Sequence, residues 1–276
     1  MKKIFNFLML FMASCLIIGM ISLPKDDIIQ SNGKQSFISQ RMDQNEISSI
    51  SKINKNKDDL KAELNPIVML VTRTKHFVPL SVGTGFGIKY DKKTHESYVL
   101  TNDHICENLI KDNSLIITGT ISYHQSATIS PYDYNMELVV LESSPEHDLC
   151  LLKWQGHLDF VKFAKERPGQ FDVLTTVGAP HGNFPIIQKA FFSGYLSRDE
   201  LFDSMLGPNH SYLLLSDIFF GGSSGSPVFN EDKEVVGIIF AKLHKSTPYG
   251  PRDSYGGIAI QTEEIMEFFD EIGFKL

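Results

Sequence analysis

The segment at residues 221–228 decides the fold, and it reads GGSSGSPV. Two serines, Ser223 and Ser224, stand in a turn that is dense in glycine, and apolar residues follow it directly. Glycine lets the backbone take conformations that a Cβ would obstruct, so such a turn can present a hydroxyl together with backbone N–H groups. Two N–H donors, here those of Gly222 and Ser224, can stabilise the oxyanion that forms when a hydroxyl attacks a carbonyl. The segment therefore predicts a nucleophilic serine, with Ser224 as the candidate.

A serine hydroxyl is a poor nucleophile at neutral pH and needs a base to take its proton. Two upstream motifs supply the partners. Residues 100–104 read LTNDH at the end of an apolar run, and residues 147–152 read HDLCLL. His104 is the candidate base, and Asp148 is the candidate carboxylate that holds the imidazole in the productive tautomer. The chain order is His, Asp, Ser.

Short runs rich in β-branched and aromatic residues recur from residue 67 onward, separated by Gly, Asn and Asp. This pattern predicts an all-β barrel or sandwich architecture. The runs lie at residues 67–71, 85–88, 97–100, 136–141, 149–152, 173–177 and 235–240. One helix is predicted at the C-terminus, capped by Thr262 and ended by Gly273, because Ile265, Phe268, Phe269 and Ile272 follow helical spacing.

Taken together, these motifs resemble the chymotrypsin-type serine proteases, in the bacterial branch of HtrA-like and V8-like (glutamyl endopeptidase) enzymes. The resemblance covers roughly residues 66 to 262. It is carried by GTGFGI at 83–88, LTNDH at 100–104, DLCLL at 148–152, VGAPHG at 177–182, SGYLS at 193–197, GSSGSPV at 222–228 and VVGI at 235–238.

The resemblance implies two six-stranded antiparallel β-barrels, with His104 and Asp148 from the first and Ser224 from the second. It implies a serine endopeptidase that hydrolyses peptide bonds through an acyl-enzyme, with an oxyanion hole at Gly222 and Ser224. Polypeptides are then the expected substrates, and no cofactor and no metal are expected. No Cys/His spacing in the sequence resembles a zinc site.

The same resemblance suggests the substrate-binding residues. They are Ile218, Phe219, Phe220 and Gly221 before the nucleophile, and Phe240, Ala241 and Lys242 in a strand beside the substrate. Ile218 stands where trypsin-like enzymes carry the aspartate of their specificity pocket, and Asp217 comes one residue earlier. An apolar pocket cannot repay the desolvation of a charged head group, so cleavage after a small or medium aliphatic residue is expected.

Two departures from the family pattern narrow this expectation. Ser223 precedes the nucleophile, so activation by a salt bridge to a freed N-terminus is not expected. Residues 239–240 are Ile and Phe rather than the histidine of V8-like enzymes, so glutamate specificity is not supported.

Other readings of the same residues stay open. The sequence GGSSG at residues 221–225 also matches G-x-S-x-G with Ser223 as nucleophile, but that α/β-hydrolase order needs a later acid and histidine, and only His244 follows. A second alternative is a catalytically inactive, trypsin-fold protein that binds peptides. His147 and His181 are expected to be structural or exposed.

Composition excludes some partners and leaves the cysteines undecided. The net charge is −7 and no Lys/Arg run stands out, which argues against nucleic acid. Of the three cysteines, Cys15 lies in the N-terminal apolar run. Cys106 and Cys150 are expected to be free, buried thiols. A disulfide is also open to them, because each follows a triad residue by two positions.

The N-terminus predicts export from the cytoplasm. Lys2 and Lys3 precede an uncharged run at residues 4–23, so residues 1–24 are a signal peptide or an N-terminal membrane anchor. Residues 25–65 are polar and are expected to form a linker or propeptide. Residues 66–276 are the expected protease domain, secreted or held at the membrane through residues 4–23. Nothing in the sequence predicts an oligomeric state.

Overall fold

The structure is a computed structural model that describes residues 64–121, 136–197, 211–247 and 250–276. The predicted signal or anchor and all but the last two residues of the predicted linker lie outside the described residues. Within those four ranges, no helix is long and apolar enough to cross a membrane.

The first half of the described chain forms a closed antiparallel barrel. Its six strands are β1 (Ile67–Thr74), β2 (Pro79–Asp91), β3 (Glu96–Thr101), β4 (Leu115–Ile121), β5 (Met136–Ser144) and β6 (Leu149–Gln155). The strand order is β1-β2-β3-β6-β5-β4, and the ring closes because β1 pairs with both β2 and β4. Closure removes exposed strand edges. Inside, Val68, Leu70, Val99, Ile117 and Leu152 form one apolar cluster.

A second antiparallel barrel follows β7 (Lys162–Phe163), a two-residue strand that pairs parallel to β12. The barrel strands are β8 (Val173–Gly178), β9 (Ile186–Ser197), β10 (Ser211–Leu215), β11 (Pro227–Phe229), β12 (Glu234–Thr247) and β13 (Gly250–Gln261). They run in the order β11-β8-β9-β10-β13-β12, and the pairing of β11 with β12 closes this ring too. The predicted fold class, two six-stranded antiparallel barrels with a C-terminal helix, is confirmed.

In the described ranges, two complete α-helices accompany the barrels, besides a 3-10 turn at Pro180–Gly182. Helix α1 (Asp103–Lys111) follows β3 after the single residue Asn102 and was not among the predicted elements. Helix α2 (Thr262–Glu271) is the predicted C-terminal helix. The predicted cap is wrong: Thr262 is the first helical residue and donates its hydroxyl to the carbonyl of Val235, while Gln261 occupies the cap position without a side-chain bond.

The largest apolar cluster joins the two barrels. It contains Phe86 and Leu151 from the first barrel, Phe229 and Ile238 from the second, and Phe268 from α2. Burying these side chains together removes a large apolar area from water, which stabilises the barrels against one another. Phe240 and Ala241, two of the predicted substrate-binding residues, pack against this cluster.

Candidate active site

His104 and Asp148 lie side by side because their strands are paired. In the register of β3 with β6, Thr101 opposes Cys150. His104 follows β3 in the first turn of α1, and Asp148 ends the turn before β6. The Nδ1 atom of His104 lies 3.0 Å and 2.9 Å from the two carboxylate oxygens of Asp148, and the backbone N–H of His104 also donates to Asp148 Oδ1 at 3.0 Å. The carboxylate therefore fixes both the backbone and the ring of His104.

The turn that carries Asp148 has an unusual backbone. Asp148 has a φ of 48°, in the left-handed region that residues with a Cβ rarely adopt. The side chain of Asn102 donates from Nδ2 to the carbonyl oxygen of Asp148 at 3.1 Å, and both residues are buried. Surrounding contacts must hold such a conformation in place.

Cys106 and Cys150 form a disulfide, with their Cα atoms 6.5 Å apart. The expectation of free thiols is therefore wrong, although both residues are buried as expected. The bond ties α1, which carries His104, to β6, which follows Asp148. Sequence reasoning could not choose between the two states, because two Cys residues can be bridged only if the fold brings their Cβ atoms together in the right orientation.

Negative charge surrounds the His104 imidazole. Partial burial lowers its pKa, but the hydrogen bond that the ring donates to Asp148 and the charges of Asp148, Asp103 and Glu107 outweigh that effect and raise the pKa above its ordinary value. The ring is still 39% exposed, so it can reach a group in solution or in a bound molecule. These are the properties of a general base that works near neutral pH.

Ser224 lies in the turn before β11 and, like His104, lies beside Phe240. Its Oγ donates to the carbonyl oxygen of Phe240 at 3.5 Å, and the Phe240 ring lies 6.5 Å from the His104 ring between centroids. Within the described ranges, Ser224 and His104 are not hydrogen-bonded to each other. The neighbouring Ser223 is only 2% exposed and its hydroxyl is buried, so Ser224 is the more accessible of the two serines.

The glycine turn leaves two donors available. In the part of the chain that the structure describes, the N–H groups of Gly222 and Ser224 donate to no protein acceptor, whereas those of Ser223 and Gly225 bond to Phe220 and Ile239. Gly222 has a φ of 98°, and a Cβ there would overlap the carbonyl oxygen of Ala179. A residue with a Cβ does not fit this position, so the geometry of the turn requires glycine here.

Thr84 connects the turn to both barrels, and sequence reasoning gave it no role. Its Oγ1 donates to the carbonyl oxygen of Gly222 at 2.8 Å and accepts from the N–H of Ala179 at 3.0 Å. Its carbonyl oxygen accepts from the hydroxyl of Thr101 at 2.7 Å. The GTGFGI motif contained this residue, but only the contacts between distant segments reveal what it holds.

The predicted substrate-binding residues divide into exposed and buried groups. Ile218, Phe220, Gly221 and Lys242 are exposed, and Phe240 and Ala241 are partly buried. Phe219 is buried, and its ring lies where a Cβ on Gly257 would be. Asp217 accepts from Gln188 Nε2 at 3.1 Å, so its carboxylate is engaged with β9.

The two remaining histidines of interest differ from each other. His181 is exposed and lies beside the ring of Phe220, with centroids 5.2 Å apart. His147 is buried and contacts Glu264 and Glu271 of α2. Of the two predicted alternatives, His181 is thus exposed, and His147 is a buried residue with structural contacts.

The family model for the trypsin-like peptidase domain matches residues 83–238, more than half of the chain. The chain is also similar to curated serine proteases. It is 31% identical over 163 residues to a probable periplasmic serine endoprotease, DegP-like, of Marinomonas sp. (strain MWYL1), covering 57% of this chain and 29% of the relative. It is 24% identical over 201 residues to serine protease HTRA4 of Mus musculus, covering 72% of this chain and 36% of that protein. The chain thus spans about a third of the length of these relatives.

Solved structures share the fold. The Rv3671c protease of M. tuberculosis in its inactive form aligns with a TM-score of 0.58 at 20% identity, covering 79% of this chain and 94% of that one. An HtrA-type protease with a tripeptide aligns with a TM-score of 0.59 at 18% identity, covering 78% of this chain and 62% of that one. At these identities the likeness shows the fold alone. With the family match, it shows that the chain belongs to the trypsin-like peptidase family, within the chymotrypsin-fold serine proteases that include the HtrA type.

Proposed function

We propose that this chain is a serine endopeptidase that works outside the cytoplasm, with His104, Asp148 and Ser224 as its catalytic triad. Residues 66–276 form the protease domain in this proposal. The observation that carries it is the His104–Asp148 pair, in which one ring nitrogen is held between both carboxylate oxygens within 3.0 Å. That arrangement leaves Nε2 free to accept a proton, as a general base requires.

The proposed reaction has two steps, formation of an acyl-enzyme on Ser224 and its hydrolysis, and His104 moves the proton in both. His104 takes the proton of Ser224 as its Oγ attacks the scissile carbonyl carbon, and the carbonyl π electrons move to the oxygen. The oxyanion then accepts hydrogen bonds from the N–H groups of Gly222 and Ser224. His104 next donates the proton to the leaving amine, and the acyl-enzyme forms. His104 then takes a proton from water as the water oxygen attacks the acyl carbon, and it returns that proton to Ser224 Oγ as the ester bond breaks and the acid product leaves.

Ser224 must turn for the attack to begin. Its present bond to the carbonyl of Phe240 is long, at 3.5 Å, and rotation about the Cα–Cβ bond releases it. We expect the hydroxyl then to turn towards His104, because Phe240, whose carbonyl now accepts from Ser224, also has its ring 6.5 Å from the His104 ring between centroids. Hydrogen bonds of a catalytic site often tighten only when substrate is bound.

Two features support action outside the cytoplasm. Disulfides persist mainly in oxidising compartments, and Cys106 and Cys150 are bonded. The Marinomonas relative is named as a probable periplasmic protein. Both agree with the predicted signal peptide or membrane anchor at residues 1–24. Polypeptides are the proposed substrates.

Labelling with a fluorophosphonate probe tests the activity. Wild-type protein is expected to label and to cleave an unfolded protein substrate. Ser224→Ala is expected to lose labelling and up to about 10⁶-fold in turnover. Ser223→Ala is the matched control, because its hydroxyl is buried, and it should still label. A folded wild-type protein that neither labels nor cleaves would instead support the inactive, peptide-binding alternative.

A further inference from the structure

The turn that presents Asp148 is attached to the C-terminal helix through the preceding residue. The side chain of His147 is only 2% exposed, and its Nδ1 contacts Oε1 of the buried Glu264. Its Nε2 lies 3.0 Å from Oε2 of Glu271, which is 55% exposed. The two glutamates come from the first and last turns of α2. One imidazole therefore bridges both ends of the helix.

The charges in this cluster favour a protonated ring. Burial lowers the pKa of His147, but the hydrogen bonds and negative charges of Glu264 and Glu271 outweigh it, so the pKa is raised above its ordinary value. An imidazolium donates from both nitrogens, which suits two carboxylate acceptors. The ring of Phe268 packs beside it at 6.0 Å between centroids and shields the contact from water. Charged hydrogen bonds of this kind are stronger than neutral ones.

Asp148 needs such an anchor. Its φ of 48° is unfavourable for a residue with a Cβ, and contacts around it must offset that cost. Asn102 holds its carbonyl from one side. His147 is bonded directly to it in the chain and is fixed from the other side by α2. A turn held at both residues cannot relax without moving the carboxylate that aligns His104.

We propose that His147, Glu264 and Glu271 are positioning residues, through which the C-terminal helix sets the placement of the Asp148 carboxylate and so the rate of the catalytic step. This inference rests on the proposed protease function. This clamp, made of His147, Glu264 and Glu271, touches neither substrate nor the reacting atoms. Its loss should therefore lower kcat through His104 and leave KM within about twofold.

The test compares two adjacent glutamates of α2 in the full chain. Glu264→Gln removes the charge that holds His147 while keeping size and shape. Glu263→Gln is the matched control, since Glu263 sits one residue away in the same turn and pairs with Arg167 instead. Glu271→Gln, at an exposed position, weakens the clamp at its other end without burying an unpaired group. For each protein, we would measure kcat and KM on a peptide, the melting temperature, and the pKa of His104 by NMR titration.

Glu264→Gln is expected to lower kcat about tenfold or more and to lower the pKa of His104, because a displaced Asp148 no longer raises it. Glu271→Gln should do the same to a smaller extent, and Glu263→Gln should change neither quantity. The pKa of His104 is measurable even in a protein without turnover, so failure of the proposed function would be seen separately. If both clamp variants keep the wild-type pKa of His104 and the wild-type kcat, the clamp serves stability alone and the proposal is wrong. Should Glu264→Gln not fold, Glu271→Gln decides by the same two quantities.

Discussion

Thr84 donates its backbone N–H to the carbonyl oxygen of Ser224 at 2.8 Å, across the boundary between the two barrels. Thr84 belongs to β2 of the first barrel, and Ser224 lies in the turn before β11 of the second. The nucleophile turn is thus fastened to the barrel that carries His104 and Asp148. This bond fixes the backbone of Ser224, while the hydroxyl of Thr84 fixes that of Gly222.

Replacing Thr84 with Val should loosen the glycine turn that carries the N–H groups of Gly222 and Ser224, while keeping the shape of the side chain. The carbonyl of Gly222 and the N–H of Ala179 would lose their partner in a buried site, which costs about 1–3 kcal/mol in stability. The rate of fluorophosphonate labelling should fall at least about tenfold, since removing one oxyanion interaction costs on the order of 10²–10³ in other enzymes.

Thr118→Val is the control for this experiment. Thr118 is also buried in the first barrel and donates its hydroxyl to the carbonyl of Val71, but it lies on β4, away from the turn. It should lose some stability and keep its labelling rate. Equal labelling rates for the two variants would show that the Thr84 hydroxyl acts only on stability.

The sequence alone predicts those parts of the site that are encoded locally. His104, Asp148 and Ser224 stand in short motifs whose residue types follow from the chemistry, and the strands around them show in the apolar runs. Helix α1 was missed because it is a single nine-residue segment interposed directly after a strand. The partners of His147 are 117 and 124 residues away along the chain, so no local pattern reveals them. The same holds for Thr84 and Gly222, which are 138 residues apart.

Activity should rise with pH through the pKa of His104, because only the neutral imidazole can accept the proton of Ser224. Since neighbouring carboxylates raise that pKa, the acid limb of kcat/KM should have its midpoint above about 6.5, the ordinary value for histidine. Glu107→Gln removes one of those negative charges and should move the limb to lower pH.

The shift caused by Glu107→Gln should shrink at high salt, because Glu107 is exposed and its field is screened. Glu231→Gln, an exposed change in the turn between β11 and β12, is the control and should leave the limb in place. A rate that does not change between about pH 5 and 8 would count against a histidine base.

Removing the disulfide should weaken both the fold and the site. The bond closes a loop with a sequence separation of 44, for which the chain-entropy model gives about 4 kcal/mol as an upper value. The double variant Cys106→Ala/Cys150→Ala is expected to unfold at a lower urea concentration, because its free energy of unfolding should fall by about 2–4 kcal/mol. Labelling should also slow, because the bond joins α1 to β6 beside the triad.

A reducing agent provides an independent measurement of the same bond. It should move the wild-type urea midpoint towards that of the double variant and leave the double variant unchanged. An unchanged wild-type midpoint, with free thiols detected by alkylation, would show that the bond adds no stability.

The last prediction concerns the residue preferred before the scissile bond. Phe219 comes five positions before Ser224, within the segment at residues 218–221 that the resemblance to trypsin-like enzymes places along the specificity pocket. Its ring is buried against Gly257, and we expect it to limit the length of the side chain that the pocket accepts. Asp217 is bonded to Gln188 and so is not expected to receive a basic side chain. Cleavage should therefore follow small or medium aliphatic residues such as Ala, Val or Leu.

Replacing Phe219 with a smaller residue tests this interpretation of the pocket. Phe219→Val should favour larger residues before the scissile bond, raising cleavage after Leu or Phe relative to Val by about 10-fold, because each buried methylene changes selection by about 1–3 kcal/mol. Phe192→Val is the control, since Phe192 is buried in the same apolar cluster on β9 and should lose similar stability without a change of preference. Cleavage profiles on a peptide library measure both. Dominant cutting after Lys or Arg in the wild-type protein would contradict the aliphatic prediction, and its loss in Asp217→Asn would identify Asp217 as the residue that binds the basic side chain.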